Sequence, residues 1–209
     1  MSLKDRWLRF WSSARAEGDP SGPWKELSAH YGEHHRAYHT LQHIDHCLEE
    51  FEPARHEAHD KIAVEFAIWY HDAVYDTHRR DNEERSALLA EQMASAAGLD
   101  PALARHAGNL IRISTHRKPA TDPDARLFAD VDLSILGQPP DVFAEYEEHV
   151  RQEYAWVPEE QFRSLRAQIL ETFLDRFSIY MTDPFREKYE KQARANLTHS
   201  LLVLRGGSG

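Results

Sequence analysis

A chain of 209 residues, 41% hydrophobic and 29% charged, is long enough to bury one sizeable core and has the balance of a soluble globular protein. Its formal net charge of −10 argues against general binding to nucleic acid polymers, which needs Lys and Arg clustered on one face. A single cysteine, Cys47, excludes an internal disulfide framework and suits a reducing compartment. No apolar run approaches the roughly 20 residues of a membrane span and the N-terminus has no signal-peptide core, so a cytoplasmic protein without membrane contact is expected.

Taken in order, the sequence predicts helix after helix, with strand signals almost absent. Leu3 to Ala16 carries Trp7, Leu8, Phe10 and Trp11 in an amphipathic pattern ended by GDPSGP, and Trp24 to Tyr31 forms a second helix. Thr40 can cap a helix running to about Phe51, with Leu41, Ile44, Leu48 and Phe51 as its core stripe and Pro53 as its breaker. The next helix starts near His59 and includes Val64 to Asp76. Asp81 or Asn82 caps a helix through Ala97, ended by Gly98, and Pro101 opens another that reaches His116. Ala125 to Leu136 is a short helix closed by GQPP. Helices over Asp141 to Trp156, Glu159 to Phe177 and Pro184 to Leu204 follow, and GGSG reads as a flexible tail. The expected fold is an all-α, single-domain helical bundle over residues 1–205, with a motif core over about 24–137, C-terminal helices over 141–204 and a tail at 206–209. The long C-terminal helices could pack a homodimer.

The stretch VEFAIWYHDAVYD, Val64 to Asp76, concentrates the candidate chemistry. Val64, Ala67, Ile68, Val74 and Tyr75 recur at helical spacing, and His71 falls on the same inward face with Asp72 directly after it. A buried imidazole and carboxylate need partners. A divalent metal is one solution; the other is a His satisfied by a carbonyl, with Asp72 ending the helix. His39, His43 and His46 form a stripe beside an apolar face, which can offer an imidazole to a metal or simply edge the solvent. Asp130 and Asp132 lie in the apolar segment LFADVDLSILG, as ligands or as caps of a short buried helix. Together these groups make a mixed nitrogen and oxygen donor set suited to Mn, Mg, Fe, Ni, Co or Zn.

The blocks YHTLQHI (38–44), WYHDAVYD (69–76), DNEERSA (81–87) and DVDLSILG (130–137) resemble, in order and spacing, the HD-domain superfamily of metal-dependent phosphohydrolases. The resemblance covers about Trp24 to Leu136. It implies an HD-type helical bundle, with His43 as first metal ligand, His71 and Asp72 as the HD pair, and Asp132 as the last ligand with Asp130 its competitor. It also implies hydrolysis of a phosphate ester or anhydride of a small metabolite or nucleotide. Val74 departs from the pattern, standing where some nucleotidase members carry a catalytic Glu. Asp76 and Glu84 are therefore the candidates, beside Asp72, for orienting water or protonating the leaving group. His39, Arg80, His116 and Lys118 are the candidate substrate contacts, and Arg36, Arg79 and Arg117 are further cations near the motifs. A helix end carrying cations explains His116 and Lys118 equally well. Two rivals remain on this reading: a catalytically silent metal- or nucleotide-binding regulatory module, and a helical protein without metal. A di-iron carboxylate bundle needs paired Glu-x-x-His motifs, and no histidine has a Glu three residues before it.

Overall fold

The structure, a computed structural model, describes residues 1–115 and 120–206. Those residues are all-α, with ten α-helices and no strand, as the periodicity predicts. None of the described helices is long and apolar enough to cross a membrane. The chain falls into two compact units, Met1–Ala129 and Asp130–Gly209.

The first unit holds α1 (Leu3–Ser13), α2 (Ser21–Tyr31), α3 (Leu41–Ala54), α4 (Lys61–Tyr70), α5 (Asn82–Ala96), α6 (Pro101–Ile113) and most of α7 (Pro123–Asp132). Its centre is α4, on which every residue from Ala63 to Tyr70 is buried, Glu65 included. A helix that is apolar all round has to be enclosed, and α1, α3, α5 and α6 all pack on this one. From α1, Trp7 meets Trp69 edge-on at 5.4 Å and Phe10 stacks on Phe66 at 5.7 Å. The Tyr31 hydroxyl of α2 donates to the Trp69 carbonyl at 3.0 Å.

The start of α4 is held by two carboxylates. Asp60 is its N-cap and accepts from the N–H groups of Ile62 and Ala63 at 3.1 and 2.9 Å. Asp124, from the first turn of α7, accepts from the N–H groups of His59 and Asp60 at 2.7 and 2.9 Å, and lies 3.0 Å from His106 Nε2. The end of α4 differs from the sequence expectation. The helix stops at Tyr70 with His71 as its C-cap, so Asp72, Ala73 and Val74 turn away where periodicity extends it through Tyr75. Side chains from elsewhere take the backbone groups that a further turn would have used, as described below. Two smaller differences have local causes. Pro53 lies inside the last turn of α3, where the helix is already about to pass into a 3-10 turn at Arg55–Glu57. Asp81 occupies the cap position of α5 but makes no capping bond, because Arg79 holds its carboxylate.

The second unit holds the end of α7, a 3-10 turn at Leu133–Gly137, α8 (Pro140–Glu153), α9 (Glu159–Leu174) and α10 (Asp183–Leu204). The helix expected through Leu136 tightens to 3-10 after Asp132. Its carbonyls are taken by side chains: Tyr180 donates to Leu133 at 3.0 Å, and Asn196 donates to Leu136 and Gln138 at 2.9 and 2.8 Å. Gly137 permits the close approach of α10, since a Cβ there would fall 2.5 Å from that of Tyr189. Arg166 of α9 is buried against Glu147 and Tyr146 of α8.

Burial raises the Asp124 carboxyl, but the bonds from His106, Asp60 and His59 outweigh it and hold its pKa below the ordinary aspartate value. Its contribution to stability is thus present above the unfolded value of about 3.9 and disappears as pH falls through the folded one. Asp124→Ala is expected to cost about 2–4 kcal/mol at neutral pH by orphaning two N–H groups. Thermal denaturation of both proteins from pH 7 down to pH 3 tests this, and the gap between them should narrow over the acid limb.

Candidate metal centre

The end of α4 and the start of α3 bring four of the singled-out side chains together. Thr40 caps α3, accepting from the Gln42 N–H at 3.3 Å. His39 therefore stands just ahead of the helix and His43 within its first turn. His71 and Asp72 follow Tyr70 at the other side of the cluster. His43 Nε2 and His71 Nε2 are 3.0 Å apart. Asp72 Oδ2 lies 3.1 Å from His71 Nε2, 3.6 Å from His43 Nε2 and 3.9 Å from His39 Nε2.

These distances allow a test of whether the residues fit a metal. Nitrogen and oxygen donors bound at about 2.0–2.2 Å, at angles between octahedral and tetrahedral, stand about 3.0–3.5 Å from one another. Of the edges joining His43 Nε2, His71 Nε2 and Asp72 Oδ2, those of 3.0 and 3.1 Å fall in that range and the third, 3.6 Å, lies just beyond it. The second nitrogen of His71 is used in the way a ligand's is: Nδ1 lies 2.9 Å from the Ile68 carbonyl, which fixes a hydrogen there and turns the Nε2 lone pair to the cluster. A carbonyl-satisfied His71 and a ligating His71 are therefore compatible. Burial pushes the Asp72 carboxyl up, but the imidazoles of His71, His39 and His43 outweigh it and hold the group well below the usual carboxylate range. The result is an ionised oxygen between imidazoles, with His43 and His71 buried and His39 and Asp72 partly open to solvent. That asymmetry leaves one side of the cluster open to solvent.

The turn carrying Asp72 is set by two residues that the sequence pattern does not single out for this task. Ser86 of α5 accepts from the Val74 N–H at 3.0 Å and donates to the Val74 carbonyl at 3.2 Å. Arg36, nominated as a phosphate contact, is buried and donates instead to the carbonyls of His39, Asp72 and Ala73. Nothing in the sequence could have identified these partners, because backbone carbonyls carry no residue identity.

Several other candidates have partners of their own. Glu84 is exposed and accepts from Arg112 of α6 through both oxygens, at 2.8 and 3.0 Å. Asp76 accepts from the backbone N–H of His78 at 2.9 Å, with the His78 ring also against it. Neither carboxylate is brought to the cluster by these bonds. Arg79 pairs with Asp81, and Arg80 is exposed in the loop ahead of α5. His116, Arg117 and Lys118 lie outside the described residues. In the second unit, the buried Asp130 carboxylate accepts from the N–H groups of Met181 and Thr182 and from the Thr182 hydroxyl. Burial pushes its pKa up to about 6 against the pull of those donors. Asp130 is thereby occupied as a structural acceptor, while Asp132, partly exposed, closes α7.

His106, Asp122 and Asp124 form a second group whose donor atoms lie within 4.8 Å of one another. Its carboxylates are already used. Asp122 caps α7 through the Ala125 N–H at 3.1 Å, and both Asp124 oxygens accept the bonds that start α4. This group is explained as a structural tie.

Asp76→Ala and Glu84→Gln are expected to leave metal uptake within about twofold of wild type. Asp130→Ala should instead cost about 1–3 kcal/mol by orphaning buried donors. Metal content by mass spectrometry and thermal melting separate the two effects; loss of metal uptake in Asp76→Ala or Glu84→Gln would reverse the assignment. No family model, curated protein or solved structure matches this chain.

Proposed function

We propose that the protein is a metal-dependent phosphohydrolase acting on the phosphate ester or anhydride of a small metabolite or nucleotide. The observation that carries the metal reading is the triangle of His43 Nε2, His71 Nε2 and Asp72 Oδ2, with edges of 3.0, 3.1 and 3.6 Å. His43, His71 and Asp72 would hold the ion, and the sequence resemblance nominates Asp132 as a further ligand. A bound divalent ion supplies an activated water and polarises a phosphoryl oxygen. On this reading His39, more open to solvent than His43 and His71 and 3.9 Å from the Asp72 carboxylate, would hand a proton to the leaving group. With Arg36 and Arg79 bonded to protein acceptors, substrate charge falls to the ion, to His39, to the exposed Arg80 and to His116 and Lys118, which lie outside the described residues.

A second reading draws support from the placement of Asp76 and Glu84. With both carboxylates held by other residues, the chain fits a regulatory module that binds metal or nucleotide without turnover. One experiment addresses both. Metal-stripped protein is supplied in turn with Mn, Mg, Co, Ni and Zn, then offered nucleoside mono-, di- and triphosphates, cyclic nucleotides and an aryl phosphate. Release of phosphate or pyrophosphate should return with metal and drop by about 100-fold or more in His71→Ala and Asp72→Ala. Asp132→Ala should lose metal affinity as well. Metal uptake without turnover on any substrate favours the regulatory module, and no metal uptake sinks the hydrolase reading and the metal-binding form of the module.

A further inference from the structure

Arg36 is a buried guanidinium whose donors are all spent. Guanidinium carries five N–H groups in a fixed fork. Nε donates to Glu33 Oε2 at 3.0 Å, and Nη2 lies 2.9 Å from that same oxygen and 3.0 Å from the Ala73 carbonyl. Nη1 donates to the His39 carbonyl at 3.0 Å and to the Asp72 carbonyl at 2.7 Å. Five donors meet five contacts, which is what makes a buried cation tolerable. The three carbonyls come from two segments: His39 precedes α3, and Asp72 with Ala73 follows α4. Those segments supply every member of the cluster. The fork is also flanked by aromatic faces, 5.2 Å from the Tyr31 ring and 5.4 Å from the Tyr75 ring. Tyr75 in turn stacks on the His39 imidazole at 4.1 Å.

We propose that Arg36 is the positioning residue of the metal centre, holding the Asp72–Ala73 backbone to that of His39 so that His39, His43, His71 and Asp72 converge on one point. The inference rests on the metal reading of the cluster. It follows from where the bonds go: an arginine serving stability alone has no need to join the backbones of two ligand-bearing segments. Donor sets tolerate misplacement of only about half an ångström, so a clamp across their backbones governs affinity. Lysine cannot replace it, because an ammonium is a point donor and cannot span carbonyls held by two nitrogens of a planar fork.

The test uses the full chain, stripped of metal and titrated calorimetrically with Zn and with Co. Arg36→Lys is expected to weaken Zn affinity tenfold or more and to shift the visible absorption of the Co-saturated protein, which reports ligand geometry. Arg36→Lys that merely melts earlier, with wild-type affinity and an unchanged Co spectrum, overturns the proposal. Should Arg36→Lys not fold, Glu33→Gln decides. It removes the charge that anchors the fork from the solvent side, and at least a threefold loss of Zn affinity is expected; unchanged affinity overturns the proposal. His71→Ala separates this proposal from the reading beneath it. If His71→Ala binds Zn like wild type, or wild type binds none, the metal reading fails and the positioning role with it. If only the Arg36 and Glu33 variants behave as wild type, the metal centre stands and the clamp falls.

Discussion

Ending a helix in the interior is the constraint on which the rest of this structure depends. A helix terminus leaves carbonyl and N–H groups without intrahelical partners, and away from water each one left unmet costs about 1–3 kcal/mol. At the end of α4 the carbonyls of Asp72 and Ala73 go to Arg36, and both backbone groups of Val74 go to Ser86. At its start, Asp60 and Asp124 take the N–H groups. The turn after Tyr70 is thus determined from several directions at once. That is what allows two imidazoles and a carboxylate to be held within 3.0–3.6 Å of one another in a largely apolar setting.

Two clusters of His and Asp stand out among the described residues, and what their side chains bond to separates them. In the group at the start of α7, Asp122 and Asp124 accept backbone N–H groups, so the oxygens hold helix ends in place. In the group at the end of α4, the backbone is satisfied by Arg36 and Ser86, which leaves ring nitrogens and Asp72 Oδ2 to face one another. Both clusters have donor atoms close together; at the end of α4 the backbone of the turn is met by Arg36 and Ser86 and not by the Asp72 carboxylate.

The all-α fold was legible because it depends on periodicity and caps, which are local. That His71 and Asp72 need partners was legible for the same reason: two ionisable groups inside WYHDAVYD stand out against their neighbours. The path of the chain through them was not. The helix pattern extends to Tyr75, and what stops it at Tyr70 is an arginine whose carbonyl partners are 36 and 37 residues away. Asp76 and Glu84 were placed near the chemistry by sequence distance, but a carboxylate follows its nearest donor, His78 in one case and Arg112 in the other. For Asp130 and Asp132 the ambiguity was geometric. Residues two apart on a helix point in nearly opposite directions. Which direction is structural became clear only from the Met181 and Thr182 donors on Asp130.

His71 sits at the carboxyl end of α4, ten residues of aligned peptide dipoles whose negative pole faces the cluster. That pole is set against the positive one of α3, whose first turn carries His43, so the backbone field at the cluster is the difference of two opposed dipoles.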